Sequence, residues 1–151
     1  MKYNQQVIKK DDAVFWMDGN GRWHNAHGPF EHKKTIAYFH SAVKRDAGGF
    51  YVSQFRDDRL EKVYFKYEDT AFFVFDVITG DEITLVLNTG KRLRLDPDGL
   101  FVHKDGLFMQ SGKDLLKFTD RSLLKLSRRI EYQNGRYFFK DGDVRRAIAA
   151  R

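Results

Sequence analysis

The sequence predicts an α+β fold in which a hairpin–helix–strand motif occurs twice, with mostly antiparallel sheet between and around the two copies. Three observations carry this. Short runs of alternating apolar and polar residues, as in "EKVYFKY" (61–67) and "ITLVLN" (83–88), recur between Gly/Asn/Asp turns and mark half-buried strands. Two segments have helical spacing instead, Ile36/Phe39/Val43 and Leu123/Leu126/Ile130. Each of these follows a hairpin and precedes a strand, at offsets of 85 and 87 residues. Thus "NGRW" (20–23) matches "DGLF" (105–108), the two helical triplets match, and Gly48, Phe50 and Val52 match Gly135, Tyr137 and Phe139. A duplicated unit of this kind packs helices on antiparallel sheet. The expected organisation is an N-terminal lobe over residues 1–80 and a C-terminal lobe over 81–151, sharing one compact unit.

In chain order, "AVFWMD" (13–18) reads as a strand, "DGNG" as a tight turn and residues 22–25 as the return strand. "HGPFEHKK" leads into a helix over 32–46, with Lys44 and Arg45 suited to its negative end and Gly48–Gly49 as the stop. Strands follow at 49–55 and 61–67, then an evenly apolar, central one within 68–78, then 83–88 and 92–95. "DPDG" has the composition of a type I turn, and "LFVH-KDG-LFMQ" forms a hairpin. A second helix is expected over 119–130, capped by Thr119 or Asp120. "EYQNGRYFF" is a hairpin about Asn-Gly, and "DVRRAIAA" is read as a short terminal helix.

Composition narrows the function classes. The chain has 151 residues, with fourteen Phe, seven Tyr, two Pro and no Cys. Disulfides, thiol catalysis and cysteine-ligated zinc are excluded. "MKYNQQVIKKDDAVFWMDG" has no apolar core of the secretory type, and no run has the roughly 18 apolar residues of a membrane span. A cytoplasmic protein with no membrane partner is the expectation. Residues 113–151 hold eleven basic and five acidic side chains, which accounts for the whole net charge of +6. An anionic partner would therefore meet the C-terminal quarter.

The run "GPFEHKKTIAYFHSAVKRDAGGFYV", followed by "EKVYFKYEDTAFFVF", resembles a family of small bacterial proteins catalogued as a domain of unknown function. The residues carrying the likeness are Gly28-Pro29-Phe30, Phe39, Arg45-Asp46, Gly49, Tyr51, Glu61-Lys62-Val63, Glu68-Asp69 and the Asp18/Gly19…Trp23 hairpin. It covers most of residues 1–80 and thins beyond them. The sequence departs from the family after Glu68-Asp69, where Thr70-Ala71 stands in place of a proline. The resemblance implies two lobes of repeated helix-and-sheet motifs and a part in signal transduction.

The candidate sites are few. "HNAHGPFEH" (24–32) places His24, His27 and His32 within nine residues. Zinc takes three or four ligands at about 2.0–2.1 Å from histidine nitrogens, so a metal-assisted hydrolase using these three is one alternative. The helical HExxH spacing is absent, and loop histidines on a wet surface are the plainer reading, so no metal and no cofactor are expected. His40, flanking the core face of the first helix, reads as a packed, hydrogen-bonded side chain. Glu68 and Asp69 are adjacent and would face opposite ways in a strand; in a turn they would hold backbone amides. Arg121, Lys125 and Arg128 form one stripe on the second helix with Arg129 beside it, an anion-binding candidate against the plainer reading of a solvated face. No nucleophile elbow, Walker loop or dinucleotide fingerprint is present. The leading expectation is a non-enzymatic, regulatory module that binds an unidentified small molecule or protein between its lobes. Trp16, Trp23, His27, Glu68 and Asp69 are its candidate contacts, and nucleic acid is not the expected partner.

Overall fold

Turn residues divide the chain into seventeen strands and two short helices among the described residues. The computed structural model describes residues 4–151. The result is α+β, mostly sheet, with mostly antiparallel pairing. Two units divide the chain, one ending at Ala71 and one spanning Phe72–Arg151. No helix among the described residues is long and apolar enough to cross a membrane.

The first unit contains β1 (Asn4–Ile8), β2 (Phe15–Met17), β3 (Trp23–Asn25), β4 (Gly28–Pro29), α1 (Lys33–Ala42), β5 (Val43–Asp46), β6 (Gly49–Arg56) and β7 (Arg59–Tyr64). β2, β3 and β4 make one antiparallel sheet. The other has the order β1-β7-β6-β5, with β1 parallel to β7. The core is aromatic. Trp23 is only 2% exposed, and its ring meets Phe15, Phe39 and Phe65 edge-on at centroid distances of 5.8, 5.3 and 4.8 Å. Edge-to-face packing sets the positive ring edge against a neighbour's negative face, so these contacts orient the rings as well as bury them.

The second unit contains β8 (Phe73–Ile78), β9 (Thr84–Leu87), β10 (Arg92–Arg94), β11 (Leu100–His103), β12 (Gly106–Ser111), β13 (Asp114–Phe118), α2 (Asp120–Leu126), β14 (Ile130–Gln133), β15 (Arg136–Asp141), β16 (Val144–Ala147) and β17 (Ala149–Ala150). A seven-stranded sheet runs β10-β9-β8-β13-β12-β11-β17, and β14-β15-β16 forms a separate meander. The core here is largely aliphatic, with Val74, Leu85, Leu116 and Leu126 fully buried beside Phe139. The alternation expected in "ITLVLN" holds as far as Leu87: Ile83, Leu85 and Leu87 are buried, whereas Thr84 and Val86 are partly exposed. Asn88, expected on the outer face, is buried instead, its side-chain oxygen accepting from the Phe73 N–H at 2.9 Å. Gly99 lets the turn after β10 press on β12, since a Cβ there would lie 2.5 Å from the Gln110 carbonyl oxygen.

Three expectations are corrected. The helix expected over 32–46 ends at Ala42, and Val43 is extended at φ −64°, ψ 126°. Val43 is buried opposite Val52, and Asp46 caps a hairpin turn by accepting from the Gly48 N–H at 2.9 Å. A β-branched residue with a partner strand gains more from the pleated surface than from another helical turn. Lys44 and Arg45 therefore lie on a strand and have no helix dipole to oppose. The second helix is likewise shorter, Asp120–Leu126 with a 3-10 turn at Ser127–Arg129, and Ile130 already pairs with Phe139. Thr119 is its cap, accepting from the Ser122 N–H at 3.2 Å. The terminal segment expected as a helix forms two short strands, β16 (Val144–Ala147) and β17 (Ala149–Ala150): Gly142, at φ 61°, reverses the chain and lays β16 along β15. The Asn134-Gly135 hairpin forms as expected, with both residues at positive φ. β1 and β13 were not anticipated.

Candidate functional site

Two features meet on the β2–β3–β4 sheet of the first unit. The first is built on the Asp18 turn. One carboxylate oxygen accepts from the Asn20 and Arg22 amides, each at 2.9 Å, and the other accepts from His24 Nε2 at 2.7 Å. Burial pushes the Asp18 carboxyl up, but the His24 ring and the two amides outweigh it and hold the group below the usual carboxylate range. His24 is the cross-strand partner of Trp16, and their rings lie parallel, 5.9 Å apart. Trp16 is 41% exposed. Glu68 closes on the same turn, because a Cβ at Gly19 would meet its Oε2 at 1.8 Å. A side chain at position 19 would displace that carboxylate from its present place.

The second feature is a pair of open depressions. One, of about 390 Å³, is lined by Asn25, His27, Pro29, Phe30, His32 and Phe39, among others. The other, of about 420 Å³, shares Asn25, Phe30 and Phe39 and adds Val14, Phe55 and Arg56. The floor is aromatic: Phe30 and Phe39 pack edge-to-face at 5.1 Å, and Phe39 meets Phe15 at 5.0 Å. The rim is polar. Asn25 folds the β3–β4 turn by accepting from the His27 N–H at 2.9 Å. His32 is the N-cap of α1, its Nδ1 accepting from the Thr35 N–H at 3.3 Å.

These positions separate the sequence-derived candidates. His27 and His32 share a depression, while His24 is turned to Asp18. Among the described residues no three His, Asp or Glu side chains gather where one cation could be held. Trp23 lies inside the core rather than on a pocket wall, and its Nε1 donates to His40 Nδ1 at 3.1 Å. His40 is thus the packed histidine expected of it, with burial pushing its pKa down to about 4. Glu68 and Asp69 occupy an exposed bend and do not belong to either depression's lining. Sequence reasoning missed Val14, Phe30 and Phe55. Phe39 was assigned to the core face of the helix, and it is only partly buried there.

In the second unit, Lys125, Arg128 and Arg129 line an open basin of about 630 Å³ with Val77, Thr79 and Leu124. Arg121 is not part of it. Lys125 pairs with Asp76 and holds that carboxyl below its usual range. Arg129 reaches the Lys140 carbonyl at 3.5 Å. The basic stripe is therefore partly neutralised by its own unit.

No protein-family model and no curated protein matches the chain. Two solved structures share its fold. The crystal structure of a DUF1285 family protein from Silicibacter pomeroyi DSS-3 is 15% identical, with a TM-score of 0.62 over 98% of this chain and 84% of that one. That of a DUF1285 family protein from Shewanella baltica OS155 is 12% identical, with a TM-score of 0.53 over 76% of this chain and 91% of that one. The structural neighbours are thus bacterial proteins of a domain-of-unknown-function family, in keeping with the resemblance read from residues 18–69.

Proposed function

We propose that this protein is a non-enzymatic binding module, with a part in bacterial signal transduction in the cytoplasm, and that its first unit receives a protein segment or small molecule on the Phe30–Phe39 face. One observation carries the reading: two depressions share the Phe30/Phe39 floor, with polar side chains at their edges, the composition of ligand-binding surfaces. The titratable groups nearby already hold structure, His32 as a helix cap and His24 on Asp18. Trp16 on β2 and Glu68 beside the Asp18 turn extend the contact surface in this reading. A fragment screen monitored by amide NMR of the full chain tests it. Binders should move the Asn25, His27, Thr35 and Gln54 amides together, and His27→Glu should weaken them without changing the thermal midpoint. Binders that move only amides elsewhere, or zinc-dependent hydrolysis lost in His27→Ala, would end it.

A duplicated origin belongs to the same reading. The first unit runs β2–β3–β4, α1, β5–β6–β7, and the second runs β11–β12–β13, α2, β14–β15–β16. Each helix is preceded by three short strands and followed by an antiparallel meander, in register with the sequence offsets.

A second reading, anion binding in the second unit, is favoured by the convergence of Lys125, Arg128 and Arg129 on one basin. Such contacts attract phosphate without reading sequence.

A further inference from the structure

The core of the second unit is left open at one end. β11 and β12 pair with Val102 opposite Leu107, so these two side chains share a face with Leu100 and Met109. That face belongs to the aliphatic core, whereas Phe101 and Phe108 stack on the opposite face, 5.4 Å apart. Beyond Val102 and Leu107 the core does not close. A pocket of about 190 Å³ remains, walled by Leu123 of α2, Ile130 of β14, Tyr137 of β15 and Ile148. The Ile148 N–H donates to the Tyr137 carbonyl at 2.9 Å, which fixes that wall. Protein interiors pack as densely as organic crystals, and an apolar cavity of about 150 Å³ is enough to hold benzene.

The lining has a single charged residue, Asp105. It sits at the tip of the β11–β12 hairpin with Lys104, both at positive φ, 46° and 65°. This backbone conformation, unusual without glycine, turns the chain within two residues and puts an exposed carboxylate beside an apolar pocket.

We propose that this pocket is a binding site for a small amphipathic amine: one ring-sized apolar group, bearing a protonated amine that meets Asp105. It is separate from the Phe30–Phe39 face and does not depend on it. The apolar walls select size, and the carboxylate selects charge.

Benzylamine, toluene and benzoate are probes of one size and three charges. They are titrated into the full chain with labelled methyl groups. Benzylamine should shift the Val102, Leu107, Leu123 and Ile148 methyls saturably, with toluene roughly tenfold weaker and benzoate weaker still. Asp105→Asn should bring benzylamine to the level of toluene and leave toluene unchanged. Leu123→Trp should abolish both while the amide spectrum stays dispersed; if that variant does not fold, Val102→Phe serves the same purpose. No saturable shift at these methyls from benzylamine, or benzoate binding as well as benzylamine, would overturn the proposal.

Discussion

Trp23 Nε1 donates a hydrogen bond to His40 Nδ1 across 3.1 Å in the buried core of the first unit. The bond decides the protonation state of the imidazole. Nδ1 must keep its lone pair toward the indole, so the ring proton resides on Nε2 and the ring is neutral. Adding a proton would set two N–H groups against each other inside an aromatic core. Burial accordingly holds the His40 pKa at about 4 rather than 6.5.

This makes stability depend on pH in a defined window. The unfolded chain binds the proton near pH 6.5 and the folded chain only near 4, so stability is fully present above 6.5 and falls as pH drops toward 4. At pH 4.5 the loss from this group is about 2.5 kcal/mol. Urea unfolding at pH 7 and 4.5 measures it, with His40→Gln showing a shallower decline over the same interval. An equal decline in the variant would mean that His40 is not the group responsible.

The two tryptophans occupy opposite environments, 2% exposed for Trp23 and 41% for Trp16. Trp16→Phe should leave blue-shifted emission that acrylamide quenches poorly. The wild type should quench in two phases. A red-shifted, readily quenched spectrum in Trp16→Phe would place Trp23 in water.

Gly99 is required by space. Its missing Cβ would lie 2.5 Å from the Gln110 carbonyl and 3.2 Å from Met109 Cγ, and the first of these is backbone of β12, which is paired on both sides in the seven-stranded sheet. Gly99→Ala should cost about 2 kcal/mol in denaturant unfolding. A loss within about 0.5 kcal/mol would show that the turn moves aside freely.

The basic basin should bind polyanions weakly. Three side chains neutralising about three phosphates give a log–log salt slope near −2.7 on duplex DNA. Lys125 is already paired with Asp76, which lowers its share. Association seen only at low ionic strength, and a flatter slope in the Lys125/Arg128/Arg129→Gln triple variant, are the expected outcomes of a fluorescence anisotropy titration. Tight binding at physiological salt would contradict them.

The period-two runs, the Asn134-Gly135 turn and the Thr119 cap were legible in the sequence because each rests on contacts between near neighbours. Alternation at Ile83, Leu85 and Leu87 needs only one buried face, and positive φ at Asn134 and Gly135 needs only the residues themselves. Helix ends were not legible in this way. Val43 satisfies helical spacing from Ile36 and Phe39, and its pairing with Val52 was decided by a partner strand nine residues away. The terminal segment misread as helix is held by the edge of β15, and β1 lies along β7, more than fifty residues distant.

The candidate site divides along the same line. The sequence by itself determined that the chain is rich in aromatic residues, that three histidines cluster within residues 24–32, that no cysteine chemistry is available and that the net positive charge comes from the last quarter. Only the tertiary structure decided which aromatics face outward. It buried Trp23 against His40, left Phe30 and Phe39 as the floor of open depressions, and turned His24 to Asp18 and away from His27 and His32. Composition fixes how much apolar surface a chain must bury, but the pairing of distant strands chooses which side chains are covered, because burial belongs to the packed face and not to the residue.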